Sequence, residues 1–223
     1  MNKLVVKTKD LFDLSESMLK DYLSKAKYPW EILPEIKQII LELLEKGIPG
    51  YHLLKEGVLV GEGVSIAPNV TIVPPAIIGA HTEIRHGAYL RGNVIVGDHC
   101  VLGNACEFKN CILLHHVQVP HFSYVGDSVL GNYAHLGAGV ICSNLKSSKD
   151  QIVVRSETNY ETGLKKFGAI LGDYVDVGCQ SVLNPGTVIG SHTQVYPLSM
   201  VRGVVAEKSI YKSKDNIVAK ENR

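Results

Sequence analysis

Three residues in the middle of the chain have the types and the spacing that a site for a small anion needs. Arg91 and Lys109 are eighteen residues apart, and His121 follows in the segment VPHFSYVGD. An imidazole with a pKa near its ordinary value of about 6.5 can accept a proton at neutral pH. Guanidinium and ammonium groups together can hold a phosphate. The three residues therefore predict a site that binds a phosphorylated ligand beside a general base.

A repeat of six residues begins at Val60 and explains why a spacing of eighteen matters. An aliphatic residue or Phe leads each hexad, as in VGEGVS, IAPNVT and LRGNVI, and the second place is often Gly or Ala. Each hexad predicts a short strand whose leading residue points inward and whose small residue forms a corner. Three hexads close one coil of a parallel β-helix, so residues eighteen apart stack about 4.8 Å apart.

The stacking rule places Arg91 and Lys109 one above the other, in corner positions that favour small residues. Like charges at that separation are unfavourable unless an anion lies between them. We therefore expect an anion-binding corner, and we expect it to lie directly beside His121. The repeat loses step near Pro120, close to these residues.

The histidines allow a second interpretation, a metal site. His81 and His99 are also eighteen apart, and His116 and His121 form a further pair. Imidazoles on adjacent coils can share a zinc ion. No Cys or carboxylate falls in an obvious position beside them, so we predict no metal site.

Composition limits the function classes. The 223 residues carry a formal charge of +1, with 45% hydrophobic and 20% charged residues. This balance lacks the basic face that nucleic-acid binding requires. No charged-then-apolar signal segment opens the chain, and no apolar run approaches the roughly 20 residues of a membrane span. The five cysteines have no CxxC spacing. We expect a cytoplasmic protein with reduced thiols that contacts neither nucleic acid nor membrane.

The patterns divide the chain into three parts. Residues 1–50 have apolar residues at helical spacing, with Asp13 or Ser15 as a cap of one helix and Gly47 as the end of another. Residues 51–206 form the β-helix, and residues 207–223 form a tail. A polar insertion between Asn144 and Leu171 interrupts the coils. The fold class is thus mainly β, a parallel β-helix of hexapeptide repeats with a small N-terminal α-helical segment.

Two segments resemble a known family. The segment EFKN…VPHFSYVGDSVLGNYAHLGAGVICSNLK resembles the acetyltransferase domain of the bifunctional N-acetylglucosamine-1-phosphate uridyltransferase/glucosamine-1-phosphate acetyltransferase enzymes. The segment TGLKKFGAILGDYVDVGCQSVLNPGTVIG is closer to the archaeal sugar-1-phosphate nucleotidylyltransferase/acetyltransferases, and the resemblance covers about residues 58 to 205. It implies left-handed coiling, a homotrimer, and transfer of an acetyl group from acetyl-CoA to an amino-sugar phosphate or a nucleotide-sugar.

The resemblance also implies roles for single residues. His121 matches the catalytic base, and the amide of Ala138 matches the oxyanion contact to the thioester carbonyl. His135 stands where the bacterial enzymes have an asparagine that holds the acceptor sugar. The phosphate and sugar contacts, with a lysine of the insertion, fall on Arg91, Lys109, Tyr124, Asn144 and Lys166.

Three further interpretations stay open. Residues 1–50 lack the Gly-rich loop of a nucleotidyltransferase domain, so we do not expect uridyl transfer even though the bifunctional enzymes perform it. A non-catalytic module that binds a nucleotide-sugar, related to UDP-N-acetylglucosamine pyrophosphorylases, is one alternative. A metal-dependent hydratase of the γ-carbonic-anhydrase type, which shares the β-helix, is the other.

Overall fold

The computed structural model describes residues 3–221, and most of them form a three-sided solenoid of short parallel strands. We call the three sides the covered face, the polar face and the open face, and the chain passes through them in this order. The fold class predicted from the sequence is confirmed: mainly β, a left-handed parallel β-helix with a small helical segment at its N-terminal end.

The covered face lies under the N-terminal segment and contains eight strands. They are β2 (Val58–Gly61), β5 (Ala76–Ile78), β8 (Val94–Val96), the end of β10 (Glu107–Leu113), the end of β12 (Tyr124–Leu130), β17 (Ala169–Leu171), β20 (Thr187–Ile189) and β23 (Val204–Val205).

The polar face carries mostly polar side chains on its outer surface. Its strands are β3 (Ser65–Ile66), β6 (Glu83–Ile84), β9 (Val101–Asn104), β11 (Gln118–His121), β13 (His135–Leu136), β18 (Asp176–Val177), β21 (Gln194–Val195) and β24 (Ser209–Ser213).

The open face is not covered by the N-terminal helices. Its strands are β4 (Thr71–Ile72), β7 (Tyr89–Leu90), the start of β10, the start of β12, β14 (Ile141–Cys142), β19 (Val182–Leu183) and β22 (Met200–Val201).

Three short additions complete the strand inventory of the described residues. They are β1 (Tyr51–Lys55), antiparallel to β2, the hairpin of β15 (Val153–Val154) with β16 (Tyr160–Glu161), and β25 (Asn216–Ala219), antiparallel to β24. Because β24 also pairs in parallel with β21, part of the predicted tail extends the polar face. The domain boundaries at residues 50 and 206 stay a prediction.

The length of a coil changes along the solenoid. Ala76 pairs with Val94 across a full coil of three hexads, whereas Cys111 pairs with both Val94 and Ser128 across coils that are shorter by a single residue. Val129 then pairs with the distant Ile170, because the polar insertion leaves and rejoins the coil between them. The residue is lost at the corner between Phe108 and Cys111, and the sequence shows the loss of step only later, near Pro120, because the register does not change between them.

Each coil turns at its corners through residues with left-handed backbone. Asn93, Asn110 and Asp127 occupy such positions on successive coils, with φ of 53°, 48° and 47°. Asn and Asp adopt this region more readily than other side chains. Their side chains form a ladder, in which Asn93 Nδ2 lies 3.4 Å from Asn110 Oδ1.

The N-terminal segment packs along the covered face. It contains α1 (Thr8–Leu11), α2 (Lys20–Leu23), a 3₁₀ helix (Pro29–Ile32) and α3 (Ile36–Lys46). The apolar side of α3 is buried against outward residues of the covered face, so the predicted docking of the helices is confirmed. Burial of this kind is the main driving force for docking.

The ends of two predicted helices had different outcomes. α3 ends at Lys46, and Gly47 follows as the stop that the sequence indicated, with its N–H donating to Leu43 O. The prediction of a helix capped by Asp13 or Ser15 is wrong, because the Asp13 carboxylate accepts the Ser15 N–H at 2.9 Å in a local turn and the helix begins only at Lys20. No helix within residues 3–221 is long and apolar enough to cross a membrane.

The five cysteines are all free thiols, and only Cys179 is exposed. Burial raises the pKa of the Cys100 and Cys142 thiols to about 12, so both are uncharged at neutral pH. The buried cysteines serve as small apolar residues of the core.

Candidate active site

The corner between the open and covered faces brings Arg91 and Lys109 together as predicted. Leu90 pairs with Phe108, so the residues that follow them occupy equivalent positions on neighbouring coils. Arg91 Nη1 lies 2.6 Å from Glu107 Oε1. Lys109 Nζ lies 3.0 Å from the nearer Asp127 oxygen. The backbone positions of Arg91 and Lys109 therefore stack at the spacing of neighbouring strands, and each side chain bonds a separate carboxylate.

Asp127 is the centre of this corner. Its carboxylate accepts bonds from Lys109 Nζ at 3.1 and 3.0 Å, from Asn110 Nδ2 at 2.9 Å, and from Asn144 Nδ2. Only 4% of the residue is exposed. A buried carboxylate with several donors holds those donors in place. Asp127 thus fixes two of the predicted phosphate-binding side chains, Lys109 and Asn144.

Tyr124 reaches the same corner from the open face. Asn144 Nδ2 donates to Tyr124 Oη at 3.1 Å. Gly126 makes room for the phenol, since a Cβ there would lie 2.4 Å from Oη. Burial, followed by the charges of Asp127 and Glu107, raises the pKa of Tyr124, so the phenol keeps its proton at neutral pH. The hydroxyl is therefore available as a hydrogen-bond donor.

Lys166 is brought near this corner by the returning end of the polar insertion. Phe167 N–H donates to Asn144 O at 3.0 Å, which fixes the neighbouring Lys166 beside Asn144. The Lys166 side chain is exposed. Four predicted contacts, from Arg91, Lys109, Tyr124 and Asn144, thus share one corner, and Lys166 borders it.

His121 and Ala138 lie together at another corner, between the polar and open faces. Strand β11 ends at His121, and Gly139 N–H donates to His121 O at 3.0 Å, which sets Ala138 on the next coil beside it. The His121 side chain is exposed. Within residues 3–221, no acceptor is bonded to the Ala138 N–H. An exposed imidazole and a free amide thus lie on adjacent coils, and the roles that the resemblance implied for them stay predictions.

His135 lies on the polar face rather than at either corner. Its Nδ1 is 2.8 Å from Asp176 Oδ1. This hydrogen bond lowers the pKa of Asp176. The contact with an acceptor sugar that the resemblance implied for His135 stays a prediction.

The expectation that the stacked cations lie directly beside His121 is wrong within a single chain. His121 precedes the open-face part of β12, and the corner with Asp127 follows it. The strand residues from Tyr124 to Gly126 separate the two corners, about 10 Å at about 3.3 Å per strand residue. His121 and the corner that contains Asp127 therefore lie on opposite edges of the open face.

The histidines that suggested a metal form a stacked column instead. Ring centroids of His81, His99, His116, Tyr133, Tyr174 and His192 follow one another at 5.0, 4.9, 4.5, 4.8 and 4.7 Å. The column occupies the corner between the covered and polar faces, whereas His121 lies at a different corner. In the part of the chain that the structure describes, no three His, Cys, Asp or Glu side chains are placed to hold a metal ion.

Fold and site together define a hexapeptide-repeat β-helix with a polar corner beside an exposed face. The profile of the GMPPB C-terminal domain matches residues 72–196, and the chain belongs to that family.

Two curated relatives and one solved structure illustrate the likeness. The Bifunctional protein GlmU of Methanococcus vannielii is 33% identical over 214 residues, which cover 92% of this chain and 50% of that protein. The Bifunctional sugar-1-phosphate nucleotidylyltransferase/acetyltransferase of Sulfurisphaera tokodaii is 30% identical over 126 residues, 56% of this chain and 31% of that protein. This chain thus spans half, or less, of these two relatives.

The solved structure is the acetyltransferase domain of PglB from Neisseria gonorrhoeae in complex with acetyl coenzyme A. It superimposes with a TM-score of 0.41 at 14% identity, and the match covers 82% of this chain and 63% of that one.

Proposed function

We propose that the chain transfers an acetyl group, or a short acyl group, from acetyl-CoA to the amine of a phosphorylated amino sugar or a nucleotide-sugar. The observation that carries this proposal is the division of the site into two corners about 10 Å apart. One corner holds a base and a free amide, and the other holds cations, a phenol and an amide side chain. A hexose with a phosphate on one carbon and an amine on another can bridge such a pair.

In this proposal each corner has a distinct task. Arg91, Lys109, Tyr124 and Asn144 bind the phosphate and orient the sugar across the open face. His121 takes a proton from the amine as its nitrogen attacks the thioester carbonyl carbon. The Ala138 N–H stabilises the negative charge on the carbonyl oxygen. The carbon–sulfur bond then breaks, and CoA leaves as a thiolate that takes up a proton.

The rigidity of the phosphate corner supports the proposal, because it lowers the entropic cost of binding a phosphate there. The donors are already held by Asp127, so little side-chain freedom is lost when a phosphate binds. Lys109 has three ammonium hydrogens and can bond a phosphate oxygen while it stays bonded to Asp127. Lys166 borders the corner and can close over a bound phosphate.

We infer further that the enzyme is a homotrimer in which a second copy covers the open face. Three outward side chains of this face are apolar and exposed: Tyr89 at 39%, Val182 at 37% and Met200 at 65%. Exposed apolar side chains that share a face are a common mark of a protein interface. The two corners of the site lie on the two edges of the open face, and in a single chain only the solenoid itself bounds the space above that face. A second copy would therefore complete the site.

The proposal is tested by thioester cleavage with a panel of amino-sugar phosphates and nucleotide-sugars. His121→Ala should lower kcat by about 10²- to 10⁴-fold, the usual contribution of a general base. Binding of the phosphorylated acceptor should persist. His52→Ala is the matched control, because His52 is an exposed histidine of β1, which pairs with β2 at the end of the solenoid, away from both corners.

Two results would count against the proposal. Full turnover in the His121 variant would reject that residue as the base. Tight binding of a nucleotide-sugar with no cleavage of acetyl-CoA by the unmodified chain would favour a non-catalytic binding module. The absence of nucleotidyl transfer stays a prediction of the sequence.

A further inference from the structure

The single tryptophan of the chain lies where the N-terminal segment meets the polar insertion. Trp30 belongs to the 3₁₀ helix and is only 2% exposed. Its ring stacks on Tyr28, with centroids 4.8 Å apart and an angle of 2° between the planes. Two rings of the insertion complete the group, since the centroids of Tyr160 and Phe167 lie 6.1 and 5.8 Å from that of Trp30. We call these four rings the aromatic cluster.

The polar insertion has few other anchors. Within residues 145–166 only Ile152 and Val154 are buried. Together with Phe167 they belong to the hydrophobic cluster that also contains Trp30 and the buried side chains of the N-terminal helices. Aromatic rings bury the most apolar area per side chain, so the aromatic cluster is a main part of the anchor.

Two neighbouring cations of the insertion, Lys165 and Lys166, are tethered at both ends, and we call them the lysine pair. Before them, Leu164 O accepts a backbone N–H from the first half of the insertion at 2.8 Å, and after them Phe167 N–H donates to Asn144 O at 3.0 Å. Both lysine side chains are exposed, and neither forms an ion pair within residues 3–221. The position of the lysine pair therefore depends on the residues that flank it.

Phe167 connects the aromatic cluster to the phosphate corner. Its ring is fully buried against Trp30, and its backbone bonds Asn144. The next residue continues the connection, since Gly168 N–H donates to Asp127 O at 2.8 Å. The insertion thus ends on the backbone of the two residues whose side chains form the corner. A shift of the Phe167 ring would move this end of the insertion, and the lysine pair with it.

We propose that Trp30 is a positioning residue of the candidate active site. Its ring holds Phe167, and through it the lysine pair, at the place from which Lys166 bonds a phosphate oxygen of the acceptor. The inference rests on the proposed function, which gives Lys166 a part at the phosphate corner. Trp30 is buried and acts only through its neighbours, so its loss should weaken phosphate binding and leave the acyl-transfer step unchanged. An insertion that is ordered in advance lowers the entropic cost of binding.

Hydrogen exchange tests the positioning directly. The amides of Phe167 and Gly168 are both hydrogen-bonded, and in Trp30→Leu the peptide that contains them should exchange at least about tenfold faster. The rate is compared with that of β9, on the polar face, to remove any change in global stability. Leu19→Ala is the matched control, because Leu19 is 1% exposed and borders a small cavity beside His115, at the opposite edge of the covered face. It should leave the relative rate unchanged.

Binding of a phosphorylated amino sugar tests the consequence. The probe is glucosamine 1-phosphate, titrated by calorimetry without acetyl-CoA at about 50 mM salt, which screens charges less than physiological salt does. Trp30→Leu should raise its Kd at least about tenfold. Trp30→Phe, which keeps a ring in the aromatic cluster, should raise the Kd less than about threefold. In turnover with acetyl-CoA, Trp30→Leu should raise the KM for this acceptor and leave kcat unchanged.

A double-mutant cycle tests whether Trp30 acts through the lysine pair. In a Lys166→Met background, Trp30→Leu should change the Kd less than about twofold, because the contact that it positions is already absent. Tyr160→Ala is the second variant if Trp30→Leu has a lowered melting temperature. It removes a half-buried ring from the insertion side of the same cluster, and it should speed the exchange and weaken the binding in the same direction.

Three results would overturn the proposal. They are unchanged exchange of the peptide in both Trp30→Leu and Tyr160→Ala, an equal loss of binding in Leu19→Ala, and a loss in Trp30→Leu that persists in the Lys166→Met background. The last would show that Trp30 acts by another route.

A failure of the proposed function has a different pattern. Glucosamine 1-phosphate would not bind the unmodified chain, or Lys166→Met would leave its Kd unchanged, while exchange at residues 167–168 would still be faster in Trp30→Leu. That pattern would show that Trp30 anchors the insertion for the fold alone, and it would overturn the positioning role as well.

Discussion

Replacing Asp127 by asparagine removes the charge on which the donors of the candidate active site converge. Asparagine keeps the shape of the side chain and tolerates the left-handed backbone of this position, where φ is 47°. An alanine would add backbone strain and obscure the result. Asp127→Asn therefore isolates the electrostatic part of the network.

The expected loss follows from the contacts. Lys109 Nζ bonds both carboxylate oxygens, at 3.1 and 3.0 Å, and a hydrogen bond to a charged group contributes about 1.5–3 kcal/mol. The Lys109 side chain is 25% exposed and can regain part of its hydration. We expect the free energy of unfolding to fall by about 2 kcal/mol, about 30-fold in the unfolding equilibrium.

Urea unfolding at a fixed protein concentration measures this change, because any subunit association would add a concentration term. Asp215→Asn is the control, since Asp215 is an exposed residue of the terminal hairpin. It should change the free energy by less than about 0.5 kcal/mol.

A double-mutant cycle with Lys109→Met separates the pair from its surroundings. If Asp127 and Lys109 are coupled as their geometry indicates, the free energy of unfolding falls less in the double variant than the sum of its decreases in the two single variants. An Asp127→Asn protein within about 0.5 kcal/mol of the unmodified chain, or strict additivity in the cycle, would refute the reasoning.

Two further predictions concern other surfaces. Burial, followed by the charges of His99 and His115, lowers the pKa of His116. As the pH falls through about 6.5, this histidine is protonated more readily in the unfolded chain than in the folded chain, so the folded state loses stability. Between about pH 7 and 5.5, the melting temperature of His116→Tyr should therefore fall less steeply than that of the unmodified chain. His52→Tyr, at an exposed histidine, is the control. Equal slopes for His116→Tyr and the unmodified chain would contradict this prediction. If the open face is the interface of the proposed trimer, Met200→Asp should give a monomer in light scattering and lower acyl transfer. A trimer of unchanged mass would reject the open face as the interface.

Periodicity predicted the stacking of side chains well where the coil keeps three full hexads. The rings of His81 and His99 stack as their spacing indicated, and the backbone positions of Arg91 and Lys109 lie on neighbouring coils in the same way. The same rule missed the continuation of the ring column, because the coil from His99 to His116 is short by a single residue and the insertion separates Tyr133 from Tyr174. A coil that loses a residue keeps its corners, but every later stacking partner that is predicted from an interval of eighteen residues is then displaced by a single position.

The carboxylate partners of the cations were also missed, although a signal for one of them was present. Asp127 is eighteen residues after Lys109, yet the pairing register sets Lys109 opposite Gly126. The carboxylate consequently reaches Lys109 diagonally from the next position. Sequence alone could not place Glu107 against Arg91, since that contact depends on side-chain direction along a strand.

The N-terminal segment has a part in the candidate active site that its sequence did not indicate. Asn110 Nδ2 bonds both Asp127 Oδ1 and Leu33 O, at 2.9 and 3.1 Å. Leu33 is buried between α3 and the covered face, so this bond ties the polar ladder of the corner to the packed helical layer. A corner of a bare solenoid would leave its long side chains free to move in solvent. Here the helical layer fixes Asn110, Asn110 helps to fix Asp127, and Asp127 fixes Lys109, which is the preorganisation that phosphate binding requires.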